Sequence, residues 1–451
     1  MMEYNLSEGT SLNYPKVLVI ALGRINKGDL HNNGLLLRNL FKNYPKENTA
    51  QIFSSGNNFD DGFFGHYYCI SKEDRRFGRL FYHFKGEELV EKISDEQPSQ
   101  SAIKQRIKSI ILNLFIKTGL YELLFRVKIS KQMENWIENF KPDIIFAQGY
   151  NLSFSLLPIL IKKAFNIKLA FLTTDDWPRY LYSGMLRENK VLSIFARRKA
   201  KKLSNELIKL TDIPFAFGHP MAKEYEKRYG KIFYVISHSD EPKRFDLCQA
   251  KRLNPPEVYS IITIGNFNHY RWPLLLDLNE ACEILNAEGI YVRLSILSSA
   301  IEIEGKLKLR NANYIDIYED PGNDNLPCYL KGADLLFLPE GFDENFVEAI
   351  QLSISSKAHL YMFSKKPIIV YAHKNTGVAQ YAHDFGWAKV ITERSSEKLA
   401  NVIKEQLNNK SASKNQAVVA YNFALSMHDN KIVSRKFQQL LINNFVNKLQ
   451  N

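Results

Sequence analysis

The stretch around Lys357 carries the residues with the clearest chemical use. Hydroxyl groups at Ser353, Ser355 and Ser356 precede Lys357, and the pattern predicts a helix with Lys357 in its first turn, followed by a strand at 367–371. A lysine in that position opposes the helix dipole unless an anion lies beside it. Hydroxyl groups, free amides at a helix N-terminus and an ammonium group together suit a diphosphate. Ser355, Ser356 and Lys357 are therefore predicted to bind a diphosphate group.

A second cation follows another predicted strand, at 259–264. The loop that begins at Gly265 ends at Arg271, whose planar guanidinium group is suited to phosphate oxygens. Because ligands of parallel α/β sheets bind beyond the carboxyl ends of the strands, Gly265 and Arg271 are predicted to share the diphosphate site. An arginine on the rim of the protein is the alternative interpretation.

The first predicted strand, at 16–22, is followed by a polar loop that leads into a predicted helix at 34–42. The free amides at the start of that helix favour an anion, and Gly34, next to Asn33, would let a diphosphate approach the backbone closely. The loop lacks the glycine spacing of a dinucleotide-binding fingerprint, so no dinucleotide cofactor is expected. A simple loop capped by Asn32 or Asn33 is the alternative.

Asp175 and Asp176 follow the predicted strand at 168–173 and precede Trp177. Carboxylates accept hydrogen bonds from sugar hydroxyl groups, and an indole ring can cover the apolar face of a sugar. We therefore predict that both aspartates contact a sugar and act in catalysis, with a helix-capping role for one of them as the alternative. No partner ligand stands nearby at metal-binding spacing, so no metal site is predicted.

The elements that must position these residues repeat one pattern through the chain. Short apolar runs alternate with longer segments of helical periodicity, which predicts parallel strands joined by crossover helices. The apolar runs lie at 16–22, 143–147, 168–173, 215–217 and 233–236 in the first half, and at 259–264, 291–297, 314–318, 333–339, 366–371 and 389–391 in the second. The predicted fold class is α/β, with two Rossmann-like doubly wound domains facing one cleft.

A chain of 451 residues is too long for one ordinary core and predicts two domains. Pro242 and the pair Pro255-Pro256 bracket the linker between them. The expected boundaries are a flexible lead at 1–14, a first domain at 15–245, a second domain at 246–430 and a C-terminal helix at 431–451.

The cysteines stand apart in the sequence, at Cys69, Cys248, Cys282 and Cys328. This pattern argues against a zinc site or a disulfide framework and fits a reducing compartment. The N-terminal residues lack the apolar run of a signal peptide, and no segment reaches the ~18 apolar residues of a membrane span. The expected location is the cytoplasm.

The net charge of +12 comes partly from residues 103–128, where basic residues accompany apolar residues at helical spacing. Such a basic amphipathic helix predicts peripheral attachment to an anionic membrane, at its inner face. A surface helix packed on its own domain is the alternative. A second basic run, at 197–202, is too local for a nucleic-acid groove and lacks interleaved aromatic residues, so no nucleic-acid partner is expected.

An ordered set of motifs resembles the GT-B glycosyltransferases. It begins with Lys141-Pro-Asp-Ile-Ile and Arg228-Tyr-Gly230, continues with Leu326-Pro-Cys-Tyr-Leu330 and Gly332-Ala-Asp-Leu-Leu336, and ends with Ser355-Ser-Lys357, Tyr361, Lys366-Pro-Ile-Ile and Gly386-Trp-Ala388. The order and spacing are similar to those of the retaining enzymes of glycosyltransferase family 4, in the subgroup that makes surface polysaccharides. The resemblance extends over almost the whole chain.

The resemblance implies an N-terminal domain that binds the acceptor, a polysaccharide or a lipid-linked glycan, and a C-terminal domain that binds a UDP- or GDP-sugar donor. It also implies that the C-terminal helix crosses back onto the first domain. Gly34 would face the donor phosphates, and Arg271 and Lys357 would neutralise them, which stabilises the departing nucleoside diphosphate. Neither a cofactor nor a metal ion is then required.

Some positions depart from the pattern of this family. The glutamate expected seven residues before the strand proline is Leu360, its acidic partner is Leu352, and the glycine before Lys-Pro is Lys365. Glu340 and Glu348 have the mutual spacing of the family's glutamate pair but lie too far upstream. Either a local insertion brings them to the donor, or the pair is absent.

Two other functions remain open from the sequence. Leu352 and Leu360 are compatible with a non-catalytic sugar-binding or scaffold subunit of a glycan-assembly complex. A sugar-nucleotide epimerase of the same architecture would need a carboxylate and a histidine, and His219 or His238 is the candidate histidine.

Overall fold

The computed structural model describes residues 13–27, 32–54, 62–76, 126–176, 190–268 and 270–449. Almost all of the predicted lead at 1–14 lies outside the described residues. The same holds for Trp177 and for most of the predicted membrane-binding segment at 103–128.

The first sheet is built from seven short strands. These are β1 (Val17–Ile20), β2 (Thr49–Phe53), β3 (His66–Cys69), β4 (Ile144–Ala147), β5 (Lys168–Thr173), β6 (Ile213–Phe217) and β7 (Tyr234–Ile236). Their order is β3-β2-β1-β4-β5-β6-β7, and every neighbouring pair is parallel. Strands β1, β4 and β6 are buried along their whole length, as expected for apolar runs in a parallel sheet that is covered on both faces.

The helices that connect these strands are α1 (Asn32–Leu40), α2 (Lys131–Phe140), α3 (Leu152–Phe165), α4 (Lys190–Leu210) and α5 (His219–Tyr229). Local sequence sets several of their ends. Ser130 and Asn151 cap α2 and α3 by accepting hydrogen bonds from first-turn amides. Gly230 ends α5 in the left-handed conformation that glycine adopts easily.

A short helix, α6 (Pro242–Asp246), leads to the second sheet. Its strands are β8 (Tyr259–Ile264), β9 (Val292–Leu297), β10 (Ile315–Tyr318), β11 (Leu335–Pro339), β12 (Ile368–Tyr371) and β13 (Lys389–Ile391). Their order is β10-β9-β8-β11-β12-β13, again with every pair parallel. Two α/β units with parallel sheets confirm the predicted fold class.

The helices of the second half follow the same alternation. They are α7 (Trp272–Ala287), α8 (Ile303–Arg310), α9 (Leu326–Gly332), α10 (Glu344–Ile350), α11 (Ala358–Phe363), α12 (Gly377–Phe385), α13 (Ser396–Asn408) and α14 (Lys410–Met427). The sequence pattern predicted a helix with Lys357 in its first turn, just before β12. The structure instead has the two short helices α10 and α11, separated by a loop at 351–357.

The last helix, α15 (Asn430–Leu449), packs on the first sheet rather than on the second. Phe437 is fully buried there. Its ring lies 5.2 Å from the rings of Phe41 and Phe146 and 5.3 Å from that of Phe215, measured between centroids. The C-terminal residues therefore help to close the first core.

Cys248 and Cys328 form a disulfide between the segment after α6 and helix α9, with Cα atoms 5.2 Å apart. The expectation that the cysteines form no disulfide is therefore wrong. Two cysteines separated by 80 residues carry no local spacing signal, and only the fold brings them together.

Candidate functional site

A cavity of about 610 Å³ lies between the two domains. From the first domain, Asp175 after β5 and Phe217 of β6 line it; from the second, Gly265 after β8 and Glu340 after β11 do so. All four lie at the carboxyl ends of parallel strands, where ligands of such sheets bind. The volume falls within the roughly 300–1,000 Å³ of small-molecule sites.

Most of the predicted site residues line this cavity. They are Asp175, Gly265, Arg271, Glu340, Ser355, Ser356 and Lys357. Gly34 lies within α1 and outside the cavity lining, although Leu35, Leu36 and Asn39 of the same helix do line it. Asn33 is described only as part of the backbone of α1. Both domains therefore contribute predicted residues to one space.

Lys357 stands immediately before the six-residue helix α11 instead of inside its first turn. Because the helix is so short, the argument from its dipole does not apply. The positive charge of Lys357 is still a reason to expect an anion at this position. The pKa of Lys357 is lowered to about 8, chiefly by burial and then by the charge of Arg271, while the charge of Glu340 opposes the shift. Lys357 is thus a desolvated ammonium group at neutral pH, which a bound anion would stabilise.

Gly265 is required by the close approach of Lys357. Its backbone has a φ of +107°, which side chains rarely permit. A Cβ atom at this position would lie 2.7 Å from Lys357 Nζ. Any larger residue would strain the backbone and displace the ammonium group.

Arg271 precedes α7 and is held by Glu340. The Nε and Nη2 atoms of Arg271 donate hydrogen bonds to Glu340 Oε2 at 3.0 and 2.7 Å. The guanidinium group also lies 5.3 Å from the ring centroid of Phe346. Together with Lys357, the pair forms a cluster of two cations and one carboxylate. Its net positive charge suits a polyanion such as a diphosphate.

Tyr361 fixes the spacing between the Gly265 loop and Lys357. Its fully buried hydroxyl group donates a hydrogen bond to Phe337 O at 3.2 Å and accepts one from Ile264 N at 3.0 Å. Helix α11 is thereby tied to the last residue of β8. In the sequence, only the family resemblance pointed to Tyr361, because a tyrosine in an apolar helix does not by itself indicate a functional role.

The two aspartates after β5 have different surroundings. Asp176 does not line the cavity; its side chain is 1% exposed and accepts hydrogen bonds from Arg228 Nη1 and Tyr225 Oη, both at 2.9 Å. It is a structural ion-pair residue of the first domain. Asp175 opens onto the cavity, where desolvation raises the pKa of its carboxyl group against hydrogen bonds from Ser353 and Thr174. The predicted pair of sugar-binding carboxylates is thus reduced to Asp175.

The positions that depart from the family pattern are also placed. Leu352 is buried in the first core, and Leu360 lines the cavity. Lys365 has a φ of +57°, the left-handed conformation that glycine would adopt easily. Of the two glutamates with the family spacing, Glu340 reaches the cavity, whereas Glu348 lies exposed on α10.

A stack of three histidines borders the cavity, and no sequence pattern predicted it. The ring centroids of His238 and His359 are 5.7 Å apart, and those of His359 and His428 are 5.8 Å apart. Burial lowers the pKa of His238 to about 3 and that of His428 to about 4, and it lowers the pKa of His359 well below its usual range. All three imidazoles are therefore neutral at neutral pH.

This stack lies where the chain crosses between the domains. His428 Nδ1 lies 2.6 Å from His238 O, and its Nε2 lies 3.0 Å from Tyr381 Oη. Because a carbonyl oxygen can only accept, Nδ1 donates and Nε2 accepts. The backbone amide of Asp240 also donates to His428 O at 3.0 Å. The two crossing segments are thereby held side by side.

Within the described parts of the chain, no group of His, Cys, Asp and Glu side chains is arranged to hold a metal ion. In those same parts, no helix is long and apolar enough to cross a membrane.

No protein-family model and no curated protein sequence matches this chain. Solved structures do resemble it. The sucrose-phosphate synthase of Thermosynechococcus elongatus superposes with a TM-score of 0.56 at 11% identity, covering 95% of this chain and 99% of that one. HepE of Anabaena in complex with UDP-glucose gives 0.57 at 12% identity, with 95% and 99% covered. A putative UDP-N-acetylglucosamine 2-epimerase of Listeria monocytogenes gives 0.54 at 13% identity, with 96% and 97% covered. The chain therefore has the GT-B fold.

Proposed function

We propose that this protein is a glycosyltransferase that moves a sugar from a UDP- or GDP-sugar to a polysaccharide or lipid-linked glycan. The observation that carries the proposal is the meeting of Lys357 and Arg271 in the cavity, at the strand ends of the second domain. Proteins of the same fold include a sucrose-phosphate synthase and a complex with UDP-glucose, which supports a nucleotide-sugar donor.

In the proposed reaction, the bond between the anomeric carbon and the diphosphate oxygen breaks, and that oxygen keeps the electron pair. Arg271 and Lys357 stabilise the resulting negative charge. The acceptor oxygen bonds to the anomeric carbon, and its proton passes to an oxygen of the departing diphosphate. Because the two cations supply the charge neutralisation, we expect neither a metal ion nor a cofactor.

The finer assignments belong to the same proposal and rest on the family resemblance. They are retention at the anomeric carbon, membership of glycosyltransferase family 4, and surface polysaccharide as the product. A further assignment of this kind is the division into an acceptor-binding domain at 15–245 and a donor-binding domain at 246–430. A cytoplasmic location with attachment to an anionic membrane surface through residues 103–128 is also proposed, from the basic amphipathic pattern of that segment, because the Cys248–Cys328 disulfide removes the cysteine argument for a reducing compartment.

Calorimetric titration with UDP and GDP tests the donor site. We expect one nucleotide to bind, and Lys357→Ala to weaken it at least about tenfold, since a charge-assisted contact to phosphate is lost. Lys365→Ala is the matched control, because Lys365 pairs with Asp246 at 3.1 Å, outside the cavity lining. Binding of neither nucleotide would favour the non-catalytic scaffold. Leu360, which stands in place of the family's glutamate, would then be the first residue to test as the cause.

Above pH 8, binding of a nucleotide should be accompanied by uptake of a proton by Lys357. The pKa of Lys357 is lowered to about 8, so the free protein loses this proton as the pH rises past that value. A bound diphosphate favours the ammonium form, and the affinity should therefore fall with rising pH. Titrations at pH 9 in buffers of different ionisation enthalpy should show uptake of nearly one proton, falling to almost none at pH 7. Equal uptake by Lys357→Met would contradict the assignment.

An epimerase of the same architecture is the second candidate. His238 lines the cavity and offers an imidazole, and Asp240 lines it with a carboxylate that Arg244 Nη1 binds at 2.6 Å, whereas His219 lies outside the cavity lining. Incubation with UDP-N-acetylglucosamine alone separates the two functions. Formation of an epimer or a free sugar without any acceptor would favour the epimerase.

A further inference from the structure

The loop at 351–357 belongs to the second domain but is anchored on the first. Leu352 is 8% exposed and packs in the first core. Ile354 packs against Gly218 at the start of α5, where an added Cβ atom would collide with its Cδ1. On the other side, a Cβ atom at Gly377 would lie 2.5 Å from Ser353 O. The loop is thus held between the two domains at three successive residues.

Ser353 makes the polar contact of this anchor. Its Oγ donates a hydrogen bond to Asp175 Oδ1 at 2.9 Å, across a separation of 178 residues. Asp175 follows β5 of the first domain, and both residues line the cavity. The bond therefore joins the domains directly across the candidate site.

Lys357 ends this loop, and its position depends on the loop. Its side chain passes over Gly265, and Nζ lies 5.9 Å from the ring centroid of Phe267. Among the described residues, no hydrogen bond holds the ammonium group. The position of the loop backbone therefore contributes to where the charge lies, in addition to the charges of Arg271 and Glu340.

We propose that Ser353 and Asp175 are positioning residues for Lys357. Their hydrogen bond holds the loop at 351–357 so that the ammonium group lies at the diphosphate site when the domains are together. Asp175 of the first domain thereby supports the binding of a nucleoside diphosphate by the second. This inference rests on the proposed function, because a bound nucleotide reports the position of the ammonium group.

Titration with UDP, and with GDP if UDP does not bind, tests the inference. Ser353→Ala should weaken the nucleotide about fivefold, equivalent to ~1 kcal/mol. Ser353→Thr keeps the hydroxyl group and should restore the wild-type affinity. Asp175→Ala should match Ser353→Ala, and the double variant should lose no more than either single one. Ser396→Ala is the matched control, because Ser396 also donates to a carboxylate, Glu280 Oε2 at 2.6 Å, but outside the cavity lining.

The decisive comparison uses the Lys357→Ala background. Ser353→Ala should have no further effect there, since no ammonium group remains to be placed. An equal loss with and without Lys357 would show that Ser353 acts by another route, and wild-type affinity in Ser353→Ala would overturn the inference directly. Both outcomes leave the proposed function standing, because the wild-type protein still binds. Failure of the wild-type protein to bind either nucleotide would overturn both.

Discussion

Replacing Arg271 by alanine should both destabilise the second domain and strongly weaken nucleotide binding. The side chain of Glu340 is 3% exposed, and the change would leave its charge buried without the partner that now binds it at 2.7 Å. Such a loss lowers the free energy of unfolding by ~3–5 kcal/mol. The change also removes one of the two proposed phosphate-binding cations, so the affinity for UDP or GDP should fall about a hundredfold. Urea unfolding and calorimetric titration measure the two effects.

Arg293→Ala is the matched control for this change. Arg293 binds Asp316 with similar geometry, at 2.7 and 2.9 Å, but both side chains are about one-third exposed. Water can replace the lost partner there, so the expected loss is below ~1 kcal/mol.

The double variant Arg271→Leu/Glu340→Leu separates stability from binding. It removes the buried carboxylate of Glu340 together with its half-buried partner, so it should recover stability without recovering affinity for the nucleotide. A double variant as unstable as Arg271→Ala would contradict the account of a buried, mutually dependent pair.

The fold class could be predicted because its strands are buried on both faces. Runs such as Val17–Ile20 and Ile144–Ala147 are apolar throughout, and this pattern needs no knowledge of the tertiary structure. Strand β3 could not be predicted from such a pattern. It lies at the edge of the sheet, with His66 and Cys69 exposed, so its composition does not distinguish it from a loop.

In the candidate site, too, some features could be predicted from the sequence and others could not. Arg271 could be selected because it follows a strand end, where this kind of fold binds its ligands. Lys357 could be selected because hydroxyl residues precede it, although the helix-dipole argument for it fails, since it stands before the short helix α11. Their surroundings could not be predicted, since Glu340 is 69 residues from Arg271 in the chain. Asp175 and Asp176 are adjacent and chemically identical in the sequence. Only the distant Arg228 shows that Asp176 is committed to an internal ion pair.

Lowering the pH from 7 to 5 should destabilise the protein through the histidine stack. The pKa values of His238, His359 and His428 are lowered in the folded state, whereas in the unfolded chain a histidine titrates near 6.5. Below pH 6.5 the unfolded state therefore binds more protons, and the free energy of unfolding falls with the pH. Each histidine should remove ~2 kcal/mol by pH 5, or ~6 kcal/mol for the three. Urea unfolding at pH 7, 6, 5.5 and 5 measures the slope.

Substitution of one histidine separates this effect from general acid denaturation. His359→Phe keeps a ring in the stack and removes one titrating group, so the slope below pH 6.5 should fall by about 1.4 kcal/mol per pH unit. His383→Gln is the control, because the side chain of His383 is 84% exposed and lies outside the stack. A wild-type stability that is flat between pH 7 and 5, or an unchanged slope in His359→Phe, would contradict the prediction.

Since the stack holds the two crossing segments together, the acid-sensitive step should be separation of the domains. Small-angle scattering should then detect expansion before the sheets unfold.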